Sequence, residues 1–452
     1  MSFNINSNRT IAAIATSVVG STIGVVRLSG KNSLSILNSI IQKKINKPRY
    51  VYLRNIIDNN EIIDNAIVIY FKSPWSYTGE DMVEIQCHGG YVTMRRIYSL
   101  LLKMGAEPAQ KGEFTKRSFL NGKIDLTQAE AVNSLINSSN TVLADNSIKM
   151  MNGIFSDRIK DLREKILEII AFIEAYIDFP EDDVDEISPE YLNSNIQRLY
   201  NELIVIKNTY SIYKKLKEGI KVAIAGRPNA GKSSLLNACL KEEKAIVTHI
   251  PGTTRDVLEH TLYINGMNVT IYDTAGIRST EDTVESIGIM RAEKTLMDSD
   301  IILHIIDASV EFTSEDKYIY DKIKNKRKII ILNKIDLGKC LEKSFFNKDN
   351  IVEVSLKTGE GFDNFECLLQ NEINIENFVD NDFDFFIDNE RYVNSIHKVV
   401  LILQKILDEI NKPLEYTAED LKDAKDELGS IIGEIYHDDI LDKIFSTFCL
   451  GK

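Results

Sequence analysis

GRPNAGKS, Gly226–Ser233, is the stretch on which the reading of the whole chain turns. It follows the apolar run Lys221-Val222-Ala223-Ile224-Ala225 and precedes SSLLNACL, whose apolar residues fall at helical spacing. Strand, glycine-containing turn and helix, with the spacing G-x-x-x-x-G-K-S, is the pattern of a phosphate-binding loop. Backbone N–H groups at a helix N-terminus converge on an anion, and the helix dipole favours negative charge there. In such a loop Lys232 sets a point charge against the β- and γ-phosphates, and Ser233 offers a hydroxyl to Mg²⁺. Taken alone, the string also fits a strand-to-helix turn that binds nothing.

Further signals follow in order. DTAG (Asp273–Gly276) ends the β-like run Asn268–Tyr272. An aspartate there can hold Mg²⁺ through water, and the glycine lets the backbone reach a γ-phosphate. NKID (Asn333–Asp336) ends the apolar run Ile329–Leu332, and a carboxylate at that point can pair with two N–H donors of guanine but not of adenine. SLK (Ser355–Lys357) ends Ile351–Val354. This set resembles the GTPase fold of the translation-factor class, which implies GTP as substrate. On that reading the nucleotide touches Asn229, Ala230, Gly231, Lys232, Ser233 and Ser234 of the phosphate loop. Thr248, His249, Ile250, Pro251, Gly252, Thr253 and Thr254 of the following loop close over it. Asp273, Thr274, Ala275 and Gly276 face the γ-phosphate, and Asn333, Lys334, Asp336, Ser355, Leu356 and Lys357 face the base.

The chain has 452 residues, enough for several domains, with 44% hydrophobic and 27% charged residues, as in a soluble globular protein. The polar start MSFNINSNRT lacks a signal-peptide core, and no apolar run has the length of a membrane span. The five cysteines (Cys87, Cys239, Cys340, Cys367, Cys449) are scattered, with no C-x-x-C pair. Neither a zinc knuckle nor a disulfide framework is indicated, and a reducing cytoplasm fits. A net charge of −13 argues against a broadly basic nucleic-acid binder. The charge is uneven, however: residues 1–121 hold 15 Lys and Arg against 8 Asp and Glu. A basic segment on an acidic body is the footprint of a polyanion or acidic ligand, and a random surface excess gives the same count.

Residues 1–121 read as mixed α/β. Short strands are expected in TIAAIAT, GVVRLSG, AIVIYF (Ala66–Phe71) and MVEIQCHGG (Met82–Gly90), with helices near Ser33–Gln42 and Val92–Met104. From Thr127 to about Lys217 apolar residues recur at helical spacing, broken by the acidic FPEDDVDEISPEY (Phe179–Tyr191). From about 219 to 374 strands and helices alternate, as in a doubly wound sheet, and helical texture then returns. An α/β GTPase domain inserted into an all-α domain accounts for this order. The apolar ending FSTFCLGK is expected to dock.

Outside the nucleotide motifs three strings are specific: SYTGEDMVEIQCHGG (Ser76–Gly90), KGEFTKRSFLNGKIDLTQAEAV (Lys111–Val132) and FCLGK (Phe448–Lys452). Together with the inserted GTPase domain they resemble the MnmE (TrmE) family of tRNA-modification GTPases over essentially the whole chain. The resemblance implies a multidomain α/β and all-α architecture. Residues 1–121 would form a tetrahydrofolate-binding-like and dimerisation domain. Residues 122–217 and 376–452 would form the two parts of a helical domain, interrupted at 218–375 by a Ras-like P-loop GTPase domain. It also implies a homodimer, a flavoprotein partner of the MnmG (GidA) kind in a heterotetramer, with FAD entering only through that partner, and tRNA as the object of the reaction. The product would be an aminomethyl or carboxymethylaminomethyl group on carbon 5 of the wobble uridine. The one-carbon unit would come from a reduced folate, 5-formyl- or 5,10-methylene-tetrahydrofolate.

Carried onto this chain, the resemblance places folate contacts on Arg27, Glu84 and Lys123, with Lys452 approaching the same pocket. A carboxylate such as Glu84 can pair with the donor–acceptor edge of a pterin, and the anionic glutamate tail suits Arg27, Lys123 or Lys452. Cys449 is either a reactive thiol at this pocket or a small apolar filler of the docked tail. Where the family usually carries a Pro-Pro-Gly-Arg-Gly-Gly turn, this chain reads SVVGST after Thr16, so contacts from that turn are not implied. Lys111 stands where a proline commonly precedes GEF.

Many GTPases place a glutamine directly after DTAG to orient the attacking water; here the residue is Ile277. The resemblance points instead to Glu285 as water-orienting group or general base. It also implies K⁺ at the transition state, held by Asn229, carbonyls of Thr248 and Ile250, and Thr253, with Ser233, Thr254 and, through water, Asp273 serving Mg²⁺. Arg255 and Arg278 are alternatives for a charge supplied in trans. Two GTPase domains of a dimer are expected to close face to face and raise the rate. Two other functions share parts of this pattern. A ribosome-assembly switch needs an attached RNA-binding module, and no G-x-x-G clamp in a basic surround is present. A GTP-regulated oligomerisation protein needs no small-molecule pocket in residues 1–121.

Overall fold

The computed structural model describes residues 9–17, 20–178, 189–241, 259–273, 293–341, 346, 350–373, 384–409, 412–436 and 438–452. The chain divides into two compact units. The first is Met1–Ile136, Ser147–Ile204 and Glu390–Lys452; the second is Asn137–Asn146 and Val205–Asn389.

The first unit opens with a six-stranded sheet: β1 (Ile11–Ile14), β2 (Ile23–Ser29), β3 (Val51–Asp58), β4 (Glu61–Phe71), β5 (Met82–His88) and β6 (Glu107–Pro108), in the order β3-β4-β5-β2-β1-β6. β1 and β6 run parallel and the other pairs antiparallel. Side chains alternate across a strand, so one face buries Val26, Leu28, Val83, Ile85 and Cys87. Two helices cover that face, α1 (Ser33–Ser39) and α2 (Tyr91–Lys103), the latter through Met94, Ile97, Leu100 and Leu101. The opposite parity carries Arg27 and Glu84, directly opposite each other in the β2–β5 register.

Two details differ from expectation. β3 and the leading part of β4 form a long hairpin where only Ala66–Phe71 reads as strand. α1 stops at Ser39 because Ile41 leaves the helix to bridge Ile56 of β3.

The remainder of this unit is helical: α3 (Glu113–Leu120), α4 (Leu126–Ile136), the end of α5 (Thr141–Met151), all of α6 (Ile154–Asp178), the first half of α7 (Pro189–Glu218), α11 (Glu390–Asp408), α12 (Leu414–Ile432) and α13 (Asp438–Ser446). α6 buries Phe155, Ile159, Leu162, Ile166, Ile169, Ile170 and Ile173, an i, i+3, i+4 stripe that packs on α12, and α12 packs in turn on α11. Arg391 and Tyr392 of α11 both bond the nearly buried Glu130 carboxylate of α4. The C-terminal tail docks: Leu441, Phe445 and Phe448 pack with Phe119, Leu126 and Ala129, and Leu450 bridges Lys111.

The second unit holds the other sheet: β7 (Ile220–Ala225), β8 (Glu259–Ile264), β9 (Met267–Asp273), β10 (Ile301–Asp307), β11 (Lys328–Asn333) and β12 (Asn350–Val354), in the order β12-β11-β10-β7-β9-β8. All pairs are parallel except β8–β9. Parallel strands are covered on both faces, which is why β10 and β11 read as unbroken apolar runs. Around the sheet lie α8 (Lys232–Lys241), α9 (Ser314–Lys322) and α10 (Phe362–Glu372). Leu143 and Leu216 join this core, so residues ahead of β7 belong to it. The whole is a multidomain α/β and all-α chain with an inserted Ras-like P-loop domain.

Candidate functional site

The C-terminal ends of the parallel strands gather the nucleotide motifs, the place where open α/β sheets bind ligands. β7 ends at Ala225 and α8 begins at Lys232, so the phosphate loop is the turn between them. Asn229 adopts a left-handed backbone, φ 62°. Gly231 has φ 115°, and a Cβ there would lie 2.3 Å from the Asn333 side-chain nitrogen. Only glycine allows the loop to pass this close to the base-side motif. Lys232 donates from Nζ to the carbonyls of Gly226 (2.7 Å) and Arg227 (2.9 Å), which curls its ammonium over the loop. Ser233 and Ser234 are exposed on the first turn of α8, and Ala230 is buried.

Asn333 ties the motifs together. Its Nδ2 donates to the Ala230 carbonyl at 2.8 Å, and its Oδ1 accepts from the Leu356 N–H at 3.2 Å. Phosphate loop, NKID and SLK are therefore held by one buried amide. Ser355, fully buried, donates to Asp336 Oδ1 at 2.7 Å and accepts from the Thr358 N–H at 3.3 Å. This leaves the Asp336 carboxylate oriented and exposed, as a base-reading group must be. Lys357 is exposed beside it.

Sequence reasoning missed Asp307, at the end of β10 and opposite Asn333 in the β10–β11 register. Its Oδ2 accepts from Lys334 Nζ at 2.7 Å and lies 3.5 Å from the Arg227 guanidinium, whose Nε is 3.6 Å from buried Asp316. Ser309 donates to Oδ1 through Oγ (2.6 Å) and N–H (3.1 Å). Burial opposes ionisation of Asp307, but the hydrogen bonds from Lys334 and Ser309 and the Lys334 charge outweigh it, and its pKa lies below the ordinary carboxylate value. Lys334 itself is left-handed, φ 67°. The available signal was an acidic residue ending an apolar strand, as in DTAG. Its partners are too distant in sequence to be inferred. Three positions before it, His304 is fully buried with neither ring nitrogen hydrogen-bonded among the described residues, and burial, helped by the Lys328 charge, pushes its pKa down to about 3.

Thr248, His249, Ile250, Pro251, Gly252, Thr253, Thr254, Arg255, Thr274, Ala275, Gly276, Ile277, Arg278 and Glu285 lie outside the described residues, as does the Asp273 side chain. Of the groups expected around Mg²⁺ and K⁺, only Ser233 and Asn229 are described. The exposed Ser233 hydroxyl sits on the first turn of α8.

In the first unit the expected folate residues come together in part. Arg27 Nε bonds Glu84 Oε1 at 2.8 Å, with side chains 22% and 15% exposed. Arg27 also donates to the Gly451 carbonyl at 3.5 Å, which brings the docked tail to this pair. Gly451 has φ 88°, and a Cβ would lie 2.8 Å from the Ile14 carbonyl. Lys452 follows, half-buried, and Cys449 is exposed while its carbonyl accepts from the Gly112 N–H at 3.4 Å. The apolar filler of the tail is Phe448, and Cys449 does not take that part. Lys123 makes no hydrogen bond or ion pair with Arg27 or Glu84 among the described residues. It donates to the Pro74 carbonyl at 3.1 Å and sits 5.8 Å from the Trp75 ring centroid. Tyr77, on the same loop, bonds Thr115 at 2.9 Å; burial raises its phenol pKa while the Arg27 charge pulls it down. Of SVVGST, Val18 and Val19 lie outside the described residues.

Two family models match. "GTP-binding protein TrmE N-terminus" covers residues 10–123 and "MnmE helical domain" covers residues 126–449. The "tRNA modification GTPase MnmE" of Aquifex aeolicus (strain VF5) is 43% identical over 98% of this chain and 99% of its own length. That of Caldicellulosiruptor saccharolyticus is also 43% identical, with the same coverage, and that of Clostridioides difficile (strain 630) is 38% identical over 98% and 99%. With near-complete coverage on both sides and a phosphate loop, NKID and SLK held in one site, the chain belongs to the MnmE family of tRNA modification GTPases.

Proposed function

We propose that this GTPase is K⁺-stimulated and acts with a flavoprotein partner of the MnmG (GidA) kind. Together they install an aminomethyl or carboxymethylaminomethyl group on carbon 5 of the wobble uridine of certain tRNAs, drawing the carbon from a reduced folate. The observation that carries the folate part is the meeting of Arg27, Glu84 and the Gly451 carbonyl in the first unit. A carboxylate and a guanidinium at one locus, with Lys452 the next residue after the Gly451 contact, suit a pterin edge and an anionic glutamate tail. Bound folate would supply the one-carbon unit; Glu84 would orient the pterin, and Arg27 and Lys452 would hold the tail.

In the second unit the described groups position the nucleotide. Lys232 carries the charge for the phosphates, Ser233 the hydroxyl for Mg²⁺, and Asp336 the carboxylate for guanine. Asn229 and the loop residues Thr248, Ile250 and Thr253 would hold K⁺ through oxygens, and the ion would supply the positive charge that an arginine finger gives elsewhere. Glu285 would orient water in place of the absent glutamine. Two chains of a homodimer would bring their nucleotide sites together.

The test is nucleoside mass spectrometry on bulk tRNA from cells depleted of this protein. Loss of carbon-5 aminomethyl-type wobble uridines is expected, restored by wild type but not by Asp273→Ala. Unchanged wobble uridines, in cells with no other route to them, overturn the reading. Calorimetry with 5-formyltetrahydrofolate checks the pocket separately: wild type binds, and Glu84→Ala weakens binding by at least tenfold (about 1.4 kcal/mol).

A further inference from the structure

The outward face of α2 carries a basic cleft that nothing above uses. Met94, Ile97, Leu100 and Leu101 fix one side of the helix to the sheet. The other side presents Tyr91, Arg95, Arg96, Ser99 and Lys103, all exposed, Tyr91 at 57%. With the β3–β4 hairpin they line a depression of about 350 Å³. It lies across the sheet from the Arg27–Glu84 locus, because α2 packs on the Val83/Ile85 face and Glu84 points to the other.

The cleft's acid, Asp58, is already paired with Lys103 at 3.2 Å. Arg95 and Arg96 have no hydrogen bond and no ion pair among the described residues. In this they differ from the rest of their unit. Arg9, Arg27, Arg117, Arg158, Arg163, Arg198 and Arg391 each meet a carboxylate. Arg49 and Arg54 donate to backbone carbonyls. A guanidinium is a five-donor fork shaped for carboxylate or phosphate. Two adjacent forks with no internal acceptor, in a concave surface, are vacant binding groups.

We propose that this cleft takes the phosphate backbone of tRNA. The proposal rests on the tRNA reading of the preceding section and adds where the RNA is held. Helix rise places Arg96 and Lys103 about 10 Å apart along α2, so the cations form a stripe that follows a strand of phosphates. Tyr91 at the head of the stripe offers a flat ring for an unpaired base or ribose. Residues 1–121 carry the positive excess of a chain whose net charge is −13. A polyanion is therefore drawn to this segment and repelled elsewhere. An acidic protein surface would satisfy the same guanidiniums, but it gives the exposed Tyr91 ring no particular role.

The experiment measures binding of an unmodified tRNA transcript to the full-length protein as a function of NaCl. Arg95→Glu with Arg96→Glu should weaken binding at least tenfold. It should also lower the slope of log K against log salt by roughly two, because each lost phosphate contact removes about 0.9. GTP hydrolysis should stay at the wild-type rate, since Lys232, Asn333 and Asp307 lie in the other unit. Arg95→Gln with Arg96→Gln, which introduces no repulsion, should give a smaller loss with the same slope change. Unaltered tRNA affinity in both variants overturns the cleft alone. Unaltered tRNA affinity with lost capture of the flavoprotein reassigns it to an acidic protein and also overturns it. Absence of tRNA binding by the wild type overturns the cleft and the tRNA reading together, so the two failures are distinguishable.

Discussion

Asp307 stands between the phosphate loop and NKID. It bonds Lys334 of NKID and faces Arg227 of the phosphate loop. Asp307→Asn keeps the shape and removes the charge, leaving Lys334 and Arg227 to repel one another across a vacant site. We expect the dissociation constant for GDP and GTP to rise about tenfold, ~1.4 kcal/mol, in a fluorescent-nucleotide titration. An unchanged constant would show that the pair only decorates the rim. Because the folded pKa of Asp307 is depressed, its contribution is fully present above the ordinary carboxylate value and is lost as pH falls through the folded value. Neutral-pH measurements therefore see the intact pair.

His304 has the opposite chemistry. It is held neutral by burial, with a folded pKa of about 3 against 6.5 for the free side chain. Between those values the unfolded chain binds a proton that the folded chain does not. Stability of the second unit should thus fall as pH drops below about 6.5, with a slope approaching one proton. Hydrogen exchange of β10 amides at pH 5 and pH 7 reads this, and His304→Leu should flatten the dependence. An identical pH response in the variant would assign the acid sensitivity to other groups.

Among the elements, the C-terminal tail links a sequence motif to a site. Phe445 and Phe448 anchor it on α3 and α4, Leu450 bridges Lys111, and Gly451 then turns with φ 88° against the Ile14 carbonyl. A β-branched residue neither adopts that conformation readily nor fits the space. Gly451→Val should detach the last residues, weaken 5-formyltetrahydrofolate binding about tenfold or more, and leave GTP hydrolysis unaltered. Folate affinity equal to wild type would remove the tail from the pocket.

The elements differ in how far their sequences announce them. β7, β10, β11 and β12 are apolar runs stopped by motif residues, and their ends were legible for that reason. β3 was not. Val51 and Leu53 are exposed on the face opposite the helices, Arg54 and Asn55 interrupt the pattern, and Ile56 is its fully buried residue. A strand with one uncovered face that is itself apolar loses the in–out alternation on which sequence reading relies. The same distinction holds in the sites. Asn333 and Asp336 are carried by a contiguous motif, whereas Asp307 acquires its role from Lys334 and Arg227, which only the parallel register brings to it.

At the scale of the whole molecule, the sequence boundary of the GTPase segment and the compact unit do not end at the same residues. The resemblance implies 218–375 for the GTPase domain, whereas the second compact unit also takes in residues 137–146, 205–217 and residues up to 389. The reason is in the core. Leu216 is 1% exposed and Phe386 7%, both packed with Val222, Ile301 and Leu369. The Ile387 N–H donates to Thr209 Oγ1 at 3.1 Å, and the Tyr213 ring lies tilted against Phe386 with centroids 6.4 Å apart. Cutting at 218 and 375 exposes this patch. Loss of one buried leucine alone costs about 2–5 kcal/mol. A fragment of residues 205–389 should therefore melt about 5–15 °C above one of residues 218–375, on a scale of roughly 2–4 °C per kcal/mol for units of this size. Nucleotide affinity should be similar in the two at low temperature, since phosphate loop, NKID and SLK are present in both. Equal melting temperatures would show that the flanking residues pack on this core without stabilising it. A lower affinity in the shorter fragment would mean that the flanks also hold the strand ends in register.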